Sequence, residues 1–500
     1  MATDKKYIDI STLDAIADKR RGEIRNSPDS LSISGNTYYV SNNGDDAADG
    51  LSPESAWRTL ERVNCATLSL GDGVLFCRGD LFRGRIEARE GVSYGAYGEG
   101  EKPRLYGWDK NLGDPALWVE VDSVHHIWNL TEEILDVGTL VFGDDECCSR
   151  KLIPSYVNGT FVCRDDESRV FDKAREMTRD LDLYWHFDKR LTTKPSKDLD
   201  FPIPEVDERS FGELYLRCDC GNPALVYGSI EALPKRPMIR VSGNGIKIDN
   251  LCIKYVGHHA ICGGGHVVGL HVTNCEIGWI GGTIQHYFGT DPNYPQGSRG
   301  SVTRFGNAVE IYGGCKDYIV DGCYVYQVYD AGLTHQITTC GRKYEIRDVH
   351  YENNLIEDCV YAIEYFLDMT EGDVDSYMKG VYMTGNILRR SGYGWGQQRH
   401  NVDTPALIKG WSYTNAASEF YISENIFDRS AYRLVHLVAK EDASCPAMAR
   451  NVYVQHKGGM LGQYGGNAVA EPPIHLFDEN VESTIRDVFG ESDAVVAMIE

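Results

Sequence analysis

The stretch Gly245-Ile-Lys-Ile-Asp-Asn-Leu-Cys-Ile253 recurs along the chain in altered form. Its plan returns in Gly269-Leu-His-Val-Thr-Asn-Cys-Glu-Ile277, Tyr318-Ile-Val-Asp-Gly-Cys-Tyr-Val325 and His350-Tyr-Glu-Asn-Asn-Leu-Ile356. It continues in Val381-Tyr-Met-Thr-Gly-Asn-Ile387 and Phe420-Tyr-Ile-Ser-Glu-Asn-Ile426. Each copy is a short alternating strand, a polar turn that often holds Asn, and a second short apolar strand. A third strand often follows, as in His259–Cys262, Ala308–Tyr312, Gly332–His335 and Ala362–Phe366. Copies begin roughly 24 to 50 residues apart. One such coil cannot bury its inner face alone, whereas stacked coils share a continuous core. Asn at a recurrent turn can stack on its counterpart in the next coil, as amide ladders do. The pattern lacks the four strands per blade of a propeller and the fixed Leu spacing of a leucine-rich repeat. It predicts an all-β fold, a right-handed parallel β-helix.

Working outward from the coils, residues 1–36 read as an N-terminal helical cap, with a helix over Ser11–Asn26, Ser11 as its cap and Asp14 in its first turn. Residues 37–106 read as the first part of the β-helix, with strands at Thr37–Ser41 and Gly73–Cys77 and a short helix at Ser55–Cys65. The segment 107–237 breaks the rhythm. It carries Trp108, Trp118, Trp128 and Trp185, a helix-like run near Ser168–Arg179 and a strand at Gly212–Arg217, and reads as an inserted β-sandwich-like domain. The coils resume over 238–464, and 465–500 form a C-terminal tail or cap.

Composition bounds the chemistry. A formal net charge of −24 repels phosphate backbones and polyanionic glycans, which disfavours nucleic acid and favours neutral substrates. The 15 Cys lack zinc spacing and suit small buried thiols in a reducing compartment. The first residues show no apolar signal region and no stretch approaches a membrane span, so the expectation is a cytoplasmic protein with no membrane partner. The acidic stretch Asn42–Asp49 invites a Ca²⁺ reading, but its spacing is not that of an EF-hand and Asx residues are ordinary in turns. No cofactor is expected. Oligomeric state is open, with the exposed insert available as an interface for a homo-oligomer.

The entry Tyr38-Tyr-Val-Ser-Asn-Asn-Gly-Asp-Asp46, with Asp49-Gly-Leu-Ser-Pro-Glu-Ser-Ala-Trp-Arg-Thr-Leu60 and Gly71-Asp-Gly-Val-Leu-Phe-Cys-Arg-Gly-Asp-Leu-Phe-Arg-Gly84, resembles the start of the bacterial right-handed β-helix carbohydrate-active proteins. The end of the insert, Gly212-Glu-Leu-Tyr-Leu216 with Gly221-Asn-Pro223 and Ser229-Ile-Glu231, is similar to the sandwich insert of the β-helical β-xylosidase and α-fucosidase families. The resemblance implies carbohydrate chemistry on a scaffold that hydrolases, lyases and epimerases share.

The coil register proposes where that chemistry sits. In Ala308-Val-Glu-Ile-Tyr312, Val309 and Ile311 point inward and leave Glu310 outward; in Ala362-Ile-Glu-Tyr-Phe366, Ile363 and Tyr365 do the same for Glu364. Aligning the Ala residues puts Glu310 and Glu364 in one column, two coils and roughly 9 to 10 Å apart. Tyr329-Asp-Ala-Gly-Leu-Thr-His-Gln336 lies between them, with Asp330 before the strand and His335 toward its end. Glycoside cleavage needs one carboxylic acid and one carboxylate. Glu310, Asp330 and Glu364 are therefore the candidate catalytic residues. His259, His335, Gln336, Asp368, Trp395, Arg399 and His400 are the candidate substrate-binding residues, with no metal ligand among them. The leading expectation is a glycoside hydrolase for neutral oligosaccharides. The alternatives are a polysaccharide lyase or epimerase for uronic-acid glycans, and a non-catalytic glycan-binding solenoid.

Overall fold

The computed structural model describes residues 8–186, 193–195, 201–288, 301–370, 372–373, 375–399, 405–466 and 471–499. Its strands wind as a parallel β-helix with three faces. The first face runs from Ile86–Arg89 through Ile239–Ser242, Ile261–Val268, the start of Val309–Asp321, Ala331–Thr338, Tyr361–Asp368 and Ala406–Gly410 to Arg433–Ala439 and Met460–Gly466. The second runs from Thr37–Val40 and Gly73–Cys77 to Ala417–Ser423 and Ala447–Ala449, and the third from Leu81–Arg83 to Val495–Ile499. Along each strand of the first face, alternate side chains enter one apolar core: Val309 and Ile311, Ile363 and Tyr365, Ile408, Val435 and Leu437.

The turn between the second and third faces explains the recurrent Asn. A left-handed residue (Asn353, Gly385, Glu424, Arg450) reverses the chain, and the Asn after it points inward. Asn354, Asn386, Asn425 and Asn451 are fully buried, and each accepts at its side-chain oxygen from the coil before. Each side-chain NH₂ also donates to a backbone carbonyl. Glu491 closes the ladder by accepting from both nitrogens of Asn451.

Residues 107–238 leave the solenoid between two consecutive coils, since Arg104–Tyr106 pairs directly with Cys252–Val256 and Ile86–Arg89 with Ile239–Ser242. Most of their strands pair antiparallel, Phe211–Arg217 with Asp182–His186 and Ile127–Leu130, and Val137–Phe142 with Ile230–Pro234. Ile284, Tyr287 and Val302, from the hairpin Thr283–Phe288/Ser301–Phe305, complete the core of this excursion. The helix read near Ser168–Arg179 is confined to Lys173–Glu176.

The first helix spans Ile10–Arg25 and departs from expectation twice. Its cap is Asp9, which accepts from the Ser11 amide, and Asp14 lies beyond the first turn, ion-paired to Arg389. It also does not close an end of the solenoid. It lies along the third face, with Arg25 on Glu276, Arg21 on Glu357 and Leu13 beside Val454 and Ile499. Ala17 and Ile24 join a buried cluster there with Tyr324, Leu355 and Ile387, and the ion pairs add to that seat. The ends are covered elsewhere, by Leu60 and Val63 of the helix Leu60–Cys65 and by Val481, Ile485 and Phe489 around the helix Val481–Val488. All fifteen cysteines are free thiols. Among the described residues, no helix is long and apolar enough to cross a membrane.

Candidate active site

Register defines one outward column on the first face. Glu87, Arg240, Cys262, Glu310, Thr334, Glu364, Lys409, His436 and Gln463 succeed one another, one per coil. Glu310 and Glu364 thus stand two coils apart with Thr334 between them. Strands about 4.8 Å apart place their backbones roughly 10 Å apart. Outward does not mean solvated here, because each carboxylate residue is only 6% exposed.

Glu310 is held through one oxygen. Asn307 Nδ2 donates to Oε2, Gln336 Nε2 donates to it at 3.2 Å, and His259 Nδ1 lies 3.2 Å away. Asn307 cannot turn its amide, because its Oδ1 accepts from the Ala331 amide at 2.9 Å. Its own backbone N–H donates to His259 Nδ1 at 3.0 Å, which fixes the imidazole tautomer with the proton on Nε2. Burial lowers the His259 pKa to about 3, so the ring brings no charge to the carboxylate. Burial pushes the Glu310 carboxyl up to about 7, against the Asn307 bond and with the help of the Asp330 charge.

Glu364 accepts a 2.6 Å bond from Trp411 Nε1 at Oε1. Burial, then the Asp330 charge, push its carboxyl up to about 8, while Trp411, Arg399 and Lys409 act in the opposite direction. Lys409 follows Glu364 in the column, and its ammonium lies 4.1 Å from the Trp411 ring and 5.6 Å from that of Tyr361. Asp330 is ion-paired to Arg399 and raises both glutamates. Two carboxyls that hold protons near neutrality, coupled through a third acid, form an arrangement suited to proton transfer.

The excursion supplies a wall. A cleft of about 600 Å³ opens between it and the coils, with Asp207, Glu208 and Lys235 on one side and Arg240, His259 and Glu310 on the other. Glu208 bridges Arg85 at 2.8 Å and Arg240 at 2.7 Å, which ties the wall to the first face. Burial lowers the Lys235 pKa to about 8, and its ammonium donates to the Ile284 carbonyl.

The structure brings Glu310, Asp330, Glu364, His259, Gln336 and Arg399 together. Asp368 lies four residues beyond Glu364, where Thr338 Oγ1 donates to it at 3.4 Å. His335 is a correction. It pairs with Ile311 and Tyr365, is fully buried, meets the Tyr351 hydroxyl at 3.0 Å and stacks on Tyr365, so it belongs to the core. The alternation that turns Thr334 outward turns its neighbour inward. Trp395 is a second correction. It is 5% exposed, donates its indole N–H to the Gln327 carbonyl at 2.7 Å and packs on Tyr329, so its ring faces are not available to a sugar. His400 lies outside the described residues. Asn307, Lys235 and Lys409 were not among the sequence-derived site residues. Extending the column one coil past Glu364, through Ala406-Leu-Ile-Lys-Gly410, would have found Lys409.

No family model and no curated protein matches the chain. Among solved structures it is similar to XylC in complex with xylose, at 10% identity and a TM-score of 0.43, over 84% of this chain and 69% of that one. It is also similar to the GH136 lacto-N-biosidase from Eubacterium ramulus, at 13% identity and a TM-score of 0.37, over 98% and 71%. A polygalacturonase from Erwinia carotovora ssp. carotovora follows at 8% identity and a TM-score of 0.29, over 86% and 95%.

Proposed function

We propose that the chain is a glycoside hydrolase acting on neutral oligosaccharides, with Glu364 as general acid and Glu310 as general base. The observation that carries this reading is the shared column: two buried carboxyls, two coils apart, each held protonated toward neutral pH by burial and by Asp330. Glu364, with the higher value of about 8, keeps the proton a leaving glycosidic oxygen needs. Glu310 receives two N–H donors on Oε2, which favour its charged form and leave Oε1 for a water. A backbone separation of roughly 10 Å stands beside the roughly 6.5–9.5 Å between carboxyls that admits a water in inverting enzymes. Inversion is therefore the expected stereochemistry. Asp330, neutralised in part by Arg399, sets the field in which both glutamates titrate.

The test is a panel of neutral oligosaccharides followed by reducing-end release and by NMR of the first-formed anomer. Loss of turnover in both Glu310→Gln and Glu364→Gln, with an inverted product in the wild type, supports the assignment. Full activity in either variant overturns it. One observation favours a second reading. Lys235, with its pKa lowered to about 8, lines the cleft, and a lyase for uronic-acid glycans uses such a base and such charge. That enzyme would release an unsaturated, ultraviolet-absorbing product from uronic substrates.

A further inference from the structure

The outward column does not end at the acid. Two coils beyond Glu364, past Lys409, it reaches His436. That residue is 2% exposed, yet among the described residues neither of its ring nitrogens has a hydrogen-bond partner. Glu471 stands 4.0 Å from Nε2, beyond hydrogen-bond reach. Burial, with Lys409 and Arg433 nearby, lowers the His436 pKa to about 2, so the ring is neutral and offers one donor and one acceptor. Its column neighbour shows the contrast. Gln463 accepts from Arg433 and donates to the Pro472 carbonyl at 2.7 Å. Thr334, between the two glutamates, repeats the anomaly, being fully buried with its hydroxyl unpartnered among the described residues. Most buried polar atoms are paired in folded proteins, and each exception calls for a cause, a partner that binds there being one. His436 and Thr334 are two of several such groups among the described residues, and these two fall on the line that carries the carboxyls.

We infer that His436 recognises the hydroxyls of a second sugar unit, so that the substrate is an oligosaccharide laid along the solenoid axis across Glu310, Thr334, Glu364 and His436. This rests on the hydrolase reading above. Roughly 10 Å separates the backbones of Glu364 and His436, a distance that two linked pyranose rings span, so His436 meets the second unit from the bond that breaks. A neutral imidazole with one N–H and one lone pair suits adjacent hydroxyls, one accepting and one donating. It does not suit a carboxylate, which would leave the acceptor nitrogen facing negative charge. His436 is thus a specificity residue, remote from the bond that breaks.

The experiment compares His436→Ala and His436→Gln with the wild type on two substrates, a single-sugar aryl glycoside and a neutral oligosaccharide of the same terminal sugar. His436→Ala should lower kcat/KM on the oligosaccharide about 10- to 100-fold, the worth of one or two buried hydrogen bonds. It should leave the aryl glycoside unchanged. His436→Gln, which keeps a donor and an acceptor, should recover part of the loss. Equal loss on both substrates, or none on the oligosaccharide, overturns the inference, and an unchanged melting temperature excludes misfolding as the cause. Calorimetric titration of the oligosaccharide into Glu364→Gln, with and without His436→Ala, separates this inference from the hydrolase reading. Binding that depends on His436 without wild-type turnover overturns the hydrolase and keeps the subsite. Turnover with binding indifferent to His436 does the reverse, and neither binding nor turnover overturns both.

Discussion

Trp411 donates its indole N–H to Oε1 of Glu364 at 2.6 Å, from the segment that follows the next strand of the same face. The bond favours the charged carboxylate and so opposes the burial that raises it. In Trp411→Phe the opposition is gone and the Glu364 pKa rises further. A general acid works while protonated, so activity falls as pH climbs through its pKa. The alkaline limb of the kcat profile should therefore move up by about 1–2 pH units, the worth of one hydrogen bond to a charged group. A limb that stays in place, or moves down, would show that Glu364 is not the acid.

Glu310→Gln and Glu364→Gln should each lower kcat about 10²- to 10⁴-fold, the range for removing a positioned acid or base. The same residues report on stability. In the fold, Glu364 keeps its proton between the ordinary glutamate value of 4.5 and about 8, where the unfolded chain has lost it. Its contribution to stability is thus full below 4.5 and is lost as pH rises toward 8. Thermal melts from pH 5 upward should show Glu364→Gln losing less stability with rising pH than the wild type. Parallel curves would contradict the raised carboxyl.

Asp330→Asn removes the charge that lifts both glutamates. Both pKa values should fall, and the whole pH–rate profile should shift toward acid while its amplitude drops. A fall in amplitude without any shift would instead make Asp330 a group that touches the reacting atoms rather than one that tunes the field.

The coils were legible because burial imposes a period of two on every strand, and one slip would exchange core and surface. That is why Val309 and Ile311 fix the direction of Glu310, and Ile363 and Tyr365 that of Glu364. The same rule was available for His335, between Thr334 and Gln336, but its polarity suggested the outer face; inside, the Tyr351 hydroxyl meets its Nδ1. Other features depend on contacts between distant segments. The Trp411 bond needs a ring from the next coil, and the seat of Trp395 needs Gln327, 68 residues earlier. The flank position of the first helix brings Arg25 to Glu276, 251 residues away. Such pairings leave no periodic trace in a single sequence.

The Asn ladder was read from recurrence alone, and its energetics can be tested at its middle rung. Asn386 Oδ1 accepts from both nitrogens of Asn354, while Asn386 Nδ2 donates to Asn425 Oδ1 and to the Tyr351 carbonyl. Asn386→Ala leaves the Asn354 amide and the Tyr351 carbonyl without these partners in a fully buried turn. An unsatisfied buried group costs about 1–3 kcal/mol, so the variant should lose about 2–4 kcal/mol in chemical denaturation. Asn386→Asp keeps the acceptor and loses the donor, and buries a charge unless it is protonated, so its deficit should grow with pH. Neither change touches the first face, so kcat of the folded enzyme should hold at temperatures below the melt. A loss under about 0.5 kcal/mol, the scatter of ordinary surface substitutions, would mean that the stacked amides follow the coils without stabilising them.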